Sequence, residues 1–419
     1  MGRPTGDRKL AINNEQPPSP ANVAAGQTSY NPRTVSPPPI YLDNNATTRP
    51  APEVVAAMLP LLTELYGNPS SVHRFGQRAR QAVDEARGRV AGLVNCAESE
   101  LLLTGGGTES VNTAVRGLLA ARAPRRRVVT STVEHSATRE LCQQLARDGV
   151  AEVTEVPVDG GGDPDLAALR AAVAADDAAL VTLLWANNET GVLTPIEQVS
   201  AVCQAARVPL HVDATQAVGK VPVDVKSVGV DAMSFAAHKF HGPKGVAALY
   251  VRRGVRVRPL LIGGPQERGR RGGTENVPGI VGMGRAAELA RERLGEMPRV
   301  AAMRDRLEHA ILTTIPDTHV NGRPDHRLPN TTNIGFARLE AEAILLLLSE
   351  QGVCASAGAA CSSGSLEPSH VLKGMHVDPR VAHGAVRFSL SRYTTDDEID
   401  RTLAILPGMI GKLRAVLPV

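Results

Sequence analysis

Aromatic residues are scarce in this 419-residue chain, at 3% with a single Trp, so an array of base-stacking platforms for nucleic acid is not expected. An excess of either charge is missing too, because 46 basic and 43 acidic residues are interspersed and leave a formal net charge of +3. The short basic clusters at Arg125, Arg126 and Arg127 and around Arg268, Arg270 and Arg271 read as solvated loops, and no nucleic-acid partner is expected. Long hydrophobic runs are absent. Stretches such as Ile344 to Leu348 fall far short of the ~20 residues that cross a bilayer, so no membrane partner is expected. The five cysteines, Cys96, Cys142, Cys203, Cys354 and Cys361, form no C-x-x-C pair and no zinc spacing. That argues against a metal site, and the odd count suits free thiols in a reducing compartment, hence a cytoplasmic protein.

What is present is 42% apolar sequence, enough for a sizeable core. Residues 1–40 hold eight prolines among Asn, Ser, Gly and Thr without hydrophobic periodicity, which reads as a disordered tail. From Tyr41 onward short β-rich runs alternate with amphipathic stretches: Arg127 to Ser131 then Thr138 to Asp148, and Ala179 to Leu184 then Ile196 to Ala206. Pro209 to Val212, Ala232 to Phe235 and Val246 to Val251 continue the strand pattern. This alternation predicts an α/β fold, with a large domain over 41–290 built on a mostly parallel sheet covered by helices on both faces. A helical stretch from about Gly279 to Leu294 runs on toward Leu312. Strand-like Asn333 to Phe336 and Ala385 to Ser391, with helices at Ala341 to Gln351 and from Asp396, then predict a smaller α+β domain over 291–419. The first residues after Tyr41 could pack with it.

Four constellations carry chemistry. Leu210 to Asp213 is an apolar run ending in a carboxylate, and Lys239 sits just past the run Ala232 to Phe235. In a parallel sheet both lie at carboxyl ends, where ligands bind. An Asp and a Lys at adjacent strand tips suit pyridoxal phosphate (PLP), whose aldehyde needs a lysine for a Schiff base and whose ring nitrogen needs an acidic partner. Thr104-Gly105-Gly106-Gly107-Thr108 follows the apolar Leu101 to Leu103 and opens a helical pattern. Such a turn can bring backbone N–H groups and a helix N-terminus to a phosphate. It matches neither dinucleotide nor Walker-type spacing. Between Ala355 and Ser365 nothing is bulky, so Cys361 is expected on a mobile loop as a candidate nucleophile, whereas Cys354 beside Val353 reads as a small packed hydrophobe.

These stretches together resemble the cysteine desulfurases of the NifS/IscS type, PLP enzymes of fold type I in the class V aminotransferase family. The resemblance runs from Tyr41 to about Leu406 on the motifs Y-L-D-N-N-A-T-T (Tyr41 to Thr48), Y-G-N-P-S-S-V-H (Tyr66 to His73), T-E-S (Thr108 to Ser110) and E-H (Glu134 to His135). It continues through N-N-E-T-G (Asn187 to Gly191), H-V-D-A-T-Q (His211 to Gln216), H-K (His238 to Lys239), R-G-G-T (Arg271 to Thr274), C-S-S-G-S-L-E-P-S-H (Cys361 to His370) and R-F-S-L (Arg387 to Leu390). Position by position, it implies that Lys239 holds the cofactor aldehyde, Asp213 pairs with the ring nitrogen, Gln216 meets the ring hydroxyl and His135 stacks on the ring. Gly107, Thr108, His238 and Thr274 match phosphate-contacting positions, with Thr274 supplied by a neighbouring subunit, which implies a homodimer with a shared site. Arg387 matches the clamp on the substrate carboxylate and Asn188 a helper there.

The implied activity converts L-cysteine to L-alanine and passes the sulfur to Cys361 as a persulfide, with His135 as acid or base for the substrate thiol. An acceptor protein for iron–sulfur assembly or tRNA thiolation then takes the sulfur. Two departures stand out: Ala236 replaces a usual Ser or Thr hydroxyl, and Gly107 replaces a usual Ala or Cys, so PLP should be held slightly more loosely. The competing readings are a selenocysteine lyase or other β-lyase, a PLP aminotransferase, which needs no Cys361, and a non-catalytic sulfur-relay partner.

Overall fold

The computed structural model describes residues 39–357 and 368–416. Almost all of the expected Pro-rich tail, and Cys361 with its loop, lie outside the described residues. The strands, in chain order, are β1 (Ile40–Tyr41), β2 (Leu101–Thr104), β3 (Arg127–Ser131), β4 (Glu152–Val156), β5 (Ala178–Leu184) and β6 (Leu210–Asp213). They continue as β7 (Ala232–Ala236), β8 (Ala247–Val251), β9 (Thr318–Val320), β10 (Thr331–Phe336), β11 (Val353–Cys354) and β12 (Ala385–Ser389). Seven form one sheet in the order β2-β8-β7-β6-β5-β3-β4. The pairings from β7 through β6, β5 and β3 to β4 are parallel, while β8 runs antiparallel to both of its neighbours.

Every residue of β5, β6, β7 and β8 is buried, as expected where helices cover both faces of a sheet and the strands read as continuous apolar runs. One core joins one face of the sheet to the helices Arg74–Val94 and Val277–Glu292, and a second joins the other face to Gly107–Ala121 and Ser136–Arg147. The two long helices of the first core approach so closely that a Cβ on Gly284 would meet Ala86 atoms at 2.7 Å. Leu180, fully buried in the second core, makes the cost concrete: truncation to Ala at such a site costs about 2–5 kcal/mol.

The expected long helix is interrupted. A 3-10 turn at Leu294–Glu296 separates Val277–Glu292 from Met297–Thr314, and the second helix restarts with Pro in its first turn, where the missing N–H costs nothing. A three-stranded antiparallel sheet in the order β12-β10-β9 packs with that helix, with Ala341–Glu350 and with Asp396–Val416 around a third core that includes Leu307, Phe336, Phe388 and Leu406. Ile40 and Leu42 belong to this core, and β1 pairs in parallel with β11. Among the described residues no helix is long and apolar enough to cross a membrane.

Candidate active site

The carboxyl ends of β5, β6 and β7 lie side by side, with Leu184 opposite Asp213 and Asp213 opposite Ser234. Asp213 closes β6, and Lys239 ends the 3-10 turn Ala237–Lys239 that follows β7. Above these tips is a cavity of about 320 Å³ lined by Asp213, Gln216, His238, Lys239, the helix-start residues Gly107 and Thr108, and also His135, Asn188 and Arg387. Gly107 and Arg387, 280 positions apart in the chain, thus face one space.

The Lys239 amine donates to the backbone carbonyls of Asn45 at 2.6 Å and Ala46 at 2.8 Å. Asp213 keeps one carboxylate oxygen on the Thr215 N–H at 3.0 Å. His135 caps the helix Ser136–Arg147, its Nδ1 accepting from the Ala137 N–H at 3.1 Å. Burial lowers its pKa, countered by Asp213 and reinforced by Lys239, so the ring is neutral with its proton on Nε2, free for the cavity. His238 meets the Thr47 hydroxyl at 3.1 Å, and burial, with Lys239, Lys244 and Lys220 adding, pushes its pKa down to about 4. Gly107 and Thr108 open the helix Gly107–Ala121, whose first-turn N–H groups form an anion-binding end.

Arg387, 2% exposed on β12, reaches the cavity from the small sheet. It donates to Asp43 at 2.6 Å and to the Asn188 carbonyl at 2.8 Å. Behind His135, the fully buried Glu134 carboxyl accepts from Ser131 and from the Leu184 N–H. Burial pushes its pKa up to about 8, against those two hydrogen bonds. The chain enters and leaves the segment containing Cys361 beside this site: Ser356 pairs with Arg387 through backbone hydrogen bonds, and the His370 Nε2–H donates to the Glu134 carbonyl at 2.8 Å.

The Aminotransferase class-V family profile matches residues 40–402. Cysteine desulfurase 2 of Trichormus variabilis is 54% identical over 379 residues, covering 90% of this chain and 95% of that protein. The chain belongs to the cysteine desulfurases of the class-V aminotransferase family. A solved NifS-like protein superimposes with a TM-score of 0.84 at 37% identity, covering 90% of this chain and all of its own. SspA, solved in complex with cysteine, does so with a TM-score of 0.74 at 31% identity, over 85% of this chain and 99% of its own.

Of the residues singled out in the sequence on this family's pattern, Gly107, Thr108, His135, Asn188, Asp213, Gln216, His238, Lys239 and Arg387 share the cavity. Thr274 does not join them; it is exposed on a loop of this chain, away from the cavity lining. Ala236 and Gly107, the two departures, sit together: a Cβ on Gly107 would lie 3.6 Å from the Ala236 methyl. Sequence reasoning assigned no role to Asn45 and Ala46, whose carbonyls receive the Lys239 amine, nor to Asp43, the partner of Arg387. The signal was a polar run, Asp43-Asn44-Asn45, directly after apolar Ile40 to Leu42. Lys220 was missed as well.

Proposed function

We propose that this protein binds PLP on Lys239, takes the sulfur of L-cysteine onto Cys361 as a persulfide, and releases L-alanine. The observation that carries this reading is the convergence of an amine, a strand-tip carboxylate, a helix N-terminus and a guanidinium on one cavity. The donor set fits the cofactor: Lys239 for its aldehyde, Asp213 for its ring nitrogen, Gln216 for its hydroxyl, and Gly107, Thr108 and His238 for its phosphate. The gap at Gly107, where a Cβ would meet Thr215 and Ala236 at an ordinary 3.5–3.6 Å, agrees with the slightly looser hold on the cofactor expected from the two departures.

When bound, the cofactor supplies an electrophilic carbon and a ring that withdraws charge from the substrate Cα. Arg387 uses one hydrogen bond on Nη1 and one on Nη2 within the protein, and the remaining hydrogens of that fork hold the substrate carboxylate. Its ion pair with Asp43 keeps the fork oriented before substrate arrives. Lys239, once its amine is free, takes the proton from the substrate Cα. His135 presents its Nε2–H to the substrate sulfur and acts as an acid there. The Cys361 thiolate forms an S–S bond to the substrate sulfur while the C–S bond breaks, and the carbon left behind takes up a proton to become the methyl group of alanine. Ser356 and His370 tether the ends of the Cys361 segment beside Arg387 and Glu134, which supports delivery of that sulfur to the cavity.

A homodimer with Thr274 crossing to the neighbouring site, a sulfur-accepting protein partner and a cytoplasmic location belong to the same reading. It is supported by the exposed position of Thr274 and by the four free thiols among the described residues, which suit a reducing compartment. The test measures sulfide and alanine release from L-cysteine under a reductant, comparing wild type with Cys361→Ala at equal cofactor occupancy. One-to-one products in wild type, with turnover lost and cofactor kept in the variant, support the persulfide route. Equal activity in the variant makes a direct lyase the better account.

A further inference from the structure

Lys220 lies four residues beyond Gln216, behind the cavity, and is only 7% exposed. A lysine is almost never so deeply buried without a counter-charge. Among the described residues no carboxylate pairs with it. Its amine instead donates to two neutral amide oxygens, Asn45 Oδ1 at 2.9 Å and Gln216 Oε1 at 2.5 Å. Two acceptors match the two N–H groups of an uncharged amine, whereas an ammonium brings three. Burial drives the amine the same way, well below its ordinary pKa, with Lys239 and Arg387 adding to the effect. His238 and His241 also face Lys220, so its nearest titratable neighbours are basic, and Asp213 is the acid across the cavity.

The same two amides close a ring. Gln216 Nε2 donates to the Asn45 backbone carbonyl at 2.9 Å, and that carbonyl also receives the Lys239 amine at 2.6 Å. The backbone is shaped to permit this. Gly219 adopts φ +78°, and a Cβ there would strike the Cβ of Phe240, the residue after Lys239, at 2.7 Å. Only glycine combines that conformation with that approach, so Lys220 is carried up against the Lys239 turn.

We propose that Lys220 is a positioning residue for Lys239: its buried amine fastens Asn45 and Gln216 to each other and so fixes the carbonyl that receives the Lys239 amine. This rests on Lys239 being the cofactor lysine. A fixed carbonyl acceptor favours the protonated Lys239 amine, so loosening it lowers the pH at which that amine becomes free. A charged Lys220 acting by repulsion predicts the opposite sign.

The test uses full-length protein stripped of cofactor and mixed with PLP, following the rate at which the visible absorption of lysine-bound cofactor appears across pH. Lys220→Met is expected to move the midpoint of that profile down by about half a pH unit or more. After loading, its kcat should fall about tenfold, with KM for cysteine changing far less. Thermal unfolding checks that the variant folds. If it does not, Lys220→Gln, one bond shorter and unable to reach both acceptors, should shift the midpoint in the same direction by less. An unchanged or raised midpoint in the folded variant overturns the proposal. Lys239→Ala separates the two levels of argument: if it lacks the absorption band, an unshifted Lys220 variant removes only the role of Lys220, whereas a persisting band overturns Lys239 as the cofactor lysine and this proposal with it.

Discussion

The two walls of the cavity bury charge in opposite ways. On the large-sheet side two buried basic groups rest on neutral partners: Lys220 on two amides, and His211 between the Thr182 and Ser234 hydroxyls at 2.8 and 2.9 Å. Burial pushes the His211 pKa down to about 4, so this ring too is neutral. On the small-sheet side Arg387 faces a full counter-charge, Asp43, at 2.6 Å. Guanidinium cannot shed its proton, and a buried, permanently charged group requires a partner charge. An amine or imidazole can be neutralised by its surroundings. Under the proposed mechanism, the buried groups that can go uncharged therefore lie beside the lysine that changes protonation state, and the guanidinium that holds a carboxylate keeps a counter-charge.

Breaking each wall should have its own signature. The largest effect is expected from Lys239→Ala, which under the proposed mechanism removes both the cofactor attachment and the acid–base amine. Activity should drop by about 10²–10⁴-fold or more, measured as alanine release. Arg387→Lys keeps the charge but loses the fork. We expect kcat/KM for cysteine to fall by about 10–100-fold, mainly through KM, as the loss of a charge-assisted hydrogen bond requires. A change confined to kcat would move Arg387 from substrate binding to another role.

A subtler probe of the neutral wall is Glu134, whose carboxyl rises from the ordinary 4.5 to about 8 in the folded protein. The folded state then holds a proton that the unfolded state releases. Glu134 therefore makes stability fall as pH rises from about 4.5 to 8, and no further above that. Glu134→Gln should flatten this part of the profile, so the melting temperature of the variant relative to wild type should climb between pH 5 and 8. A constant difference would mean that Glu134 is ionised in the fold. The smallest effect is expected from Ala236→Ser, which restores a hydroxyl near the helix start at Gly107. PLP release should slow by about 2–10-fold, the value of one hydrogen bond. Equal or faster release would show that the missing contact is compensated.

Much of this was legible in the chain itself. The apolar runs that became β3, β5, β6 and β7 were read within a residue or two because a strand buried on both faces needs no alternation, and the carboxylate ending β6 and the lysine just past β7 pointed to the cavity they line. The antiparallel placement of β8 was not readable, since Val246 to Val251 is as uniformly apolar as its parallel neighbours. Nor was the helix break at Leu294–Glu296, where the amphipathic pattern runs on across the turn. Lys220 carried no signal at all: in one dimension a lysine after Gly219 looks like any surface lysine.

The sequence by itself determined the alternation of strands and helices, the placing of a carboxylate, a lysine and a glycine turn at strand ends, and the family pattern that joins them, because these depend on residue types at short spacing. Tertiary structure alone decided which polar groups would hold one another. The Lys220 bond to Asn45 spans 175 positions and the Arg387 bond to Asp43 spans 344. Whether a buried amine is neutral or a buried guanidinium is paired depends on what the folded chain brings within hydrogen-bonding distance and how much water it excludes.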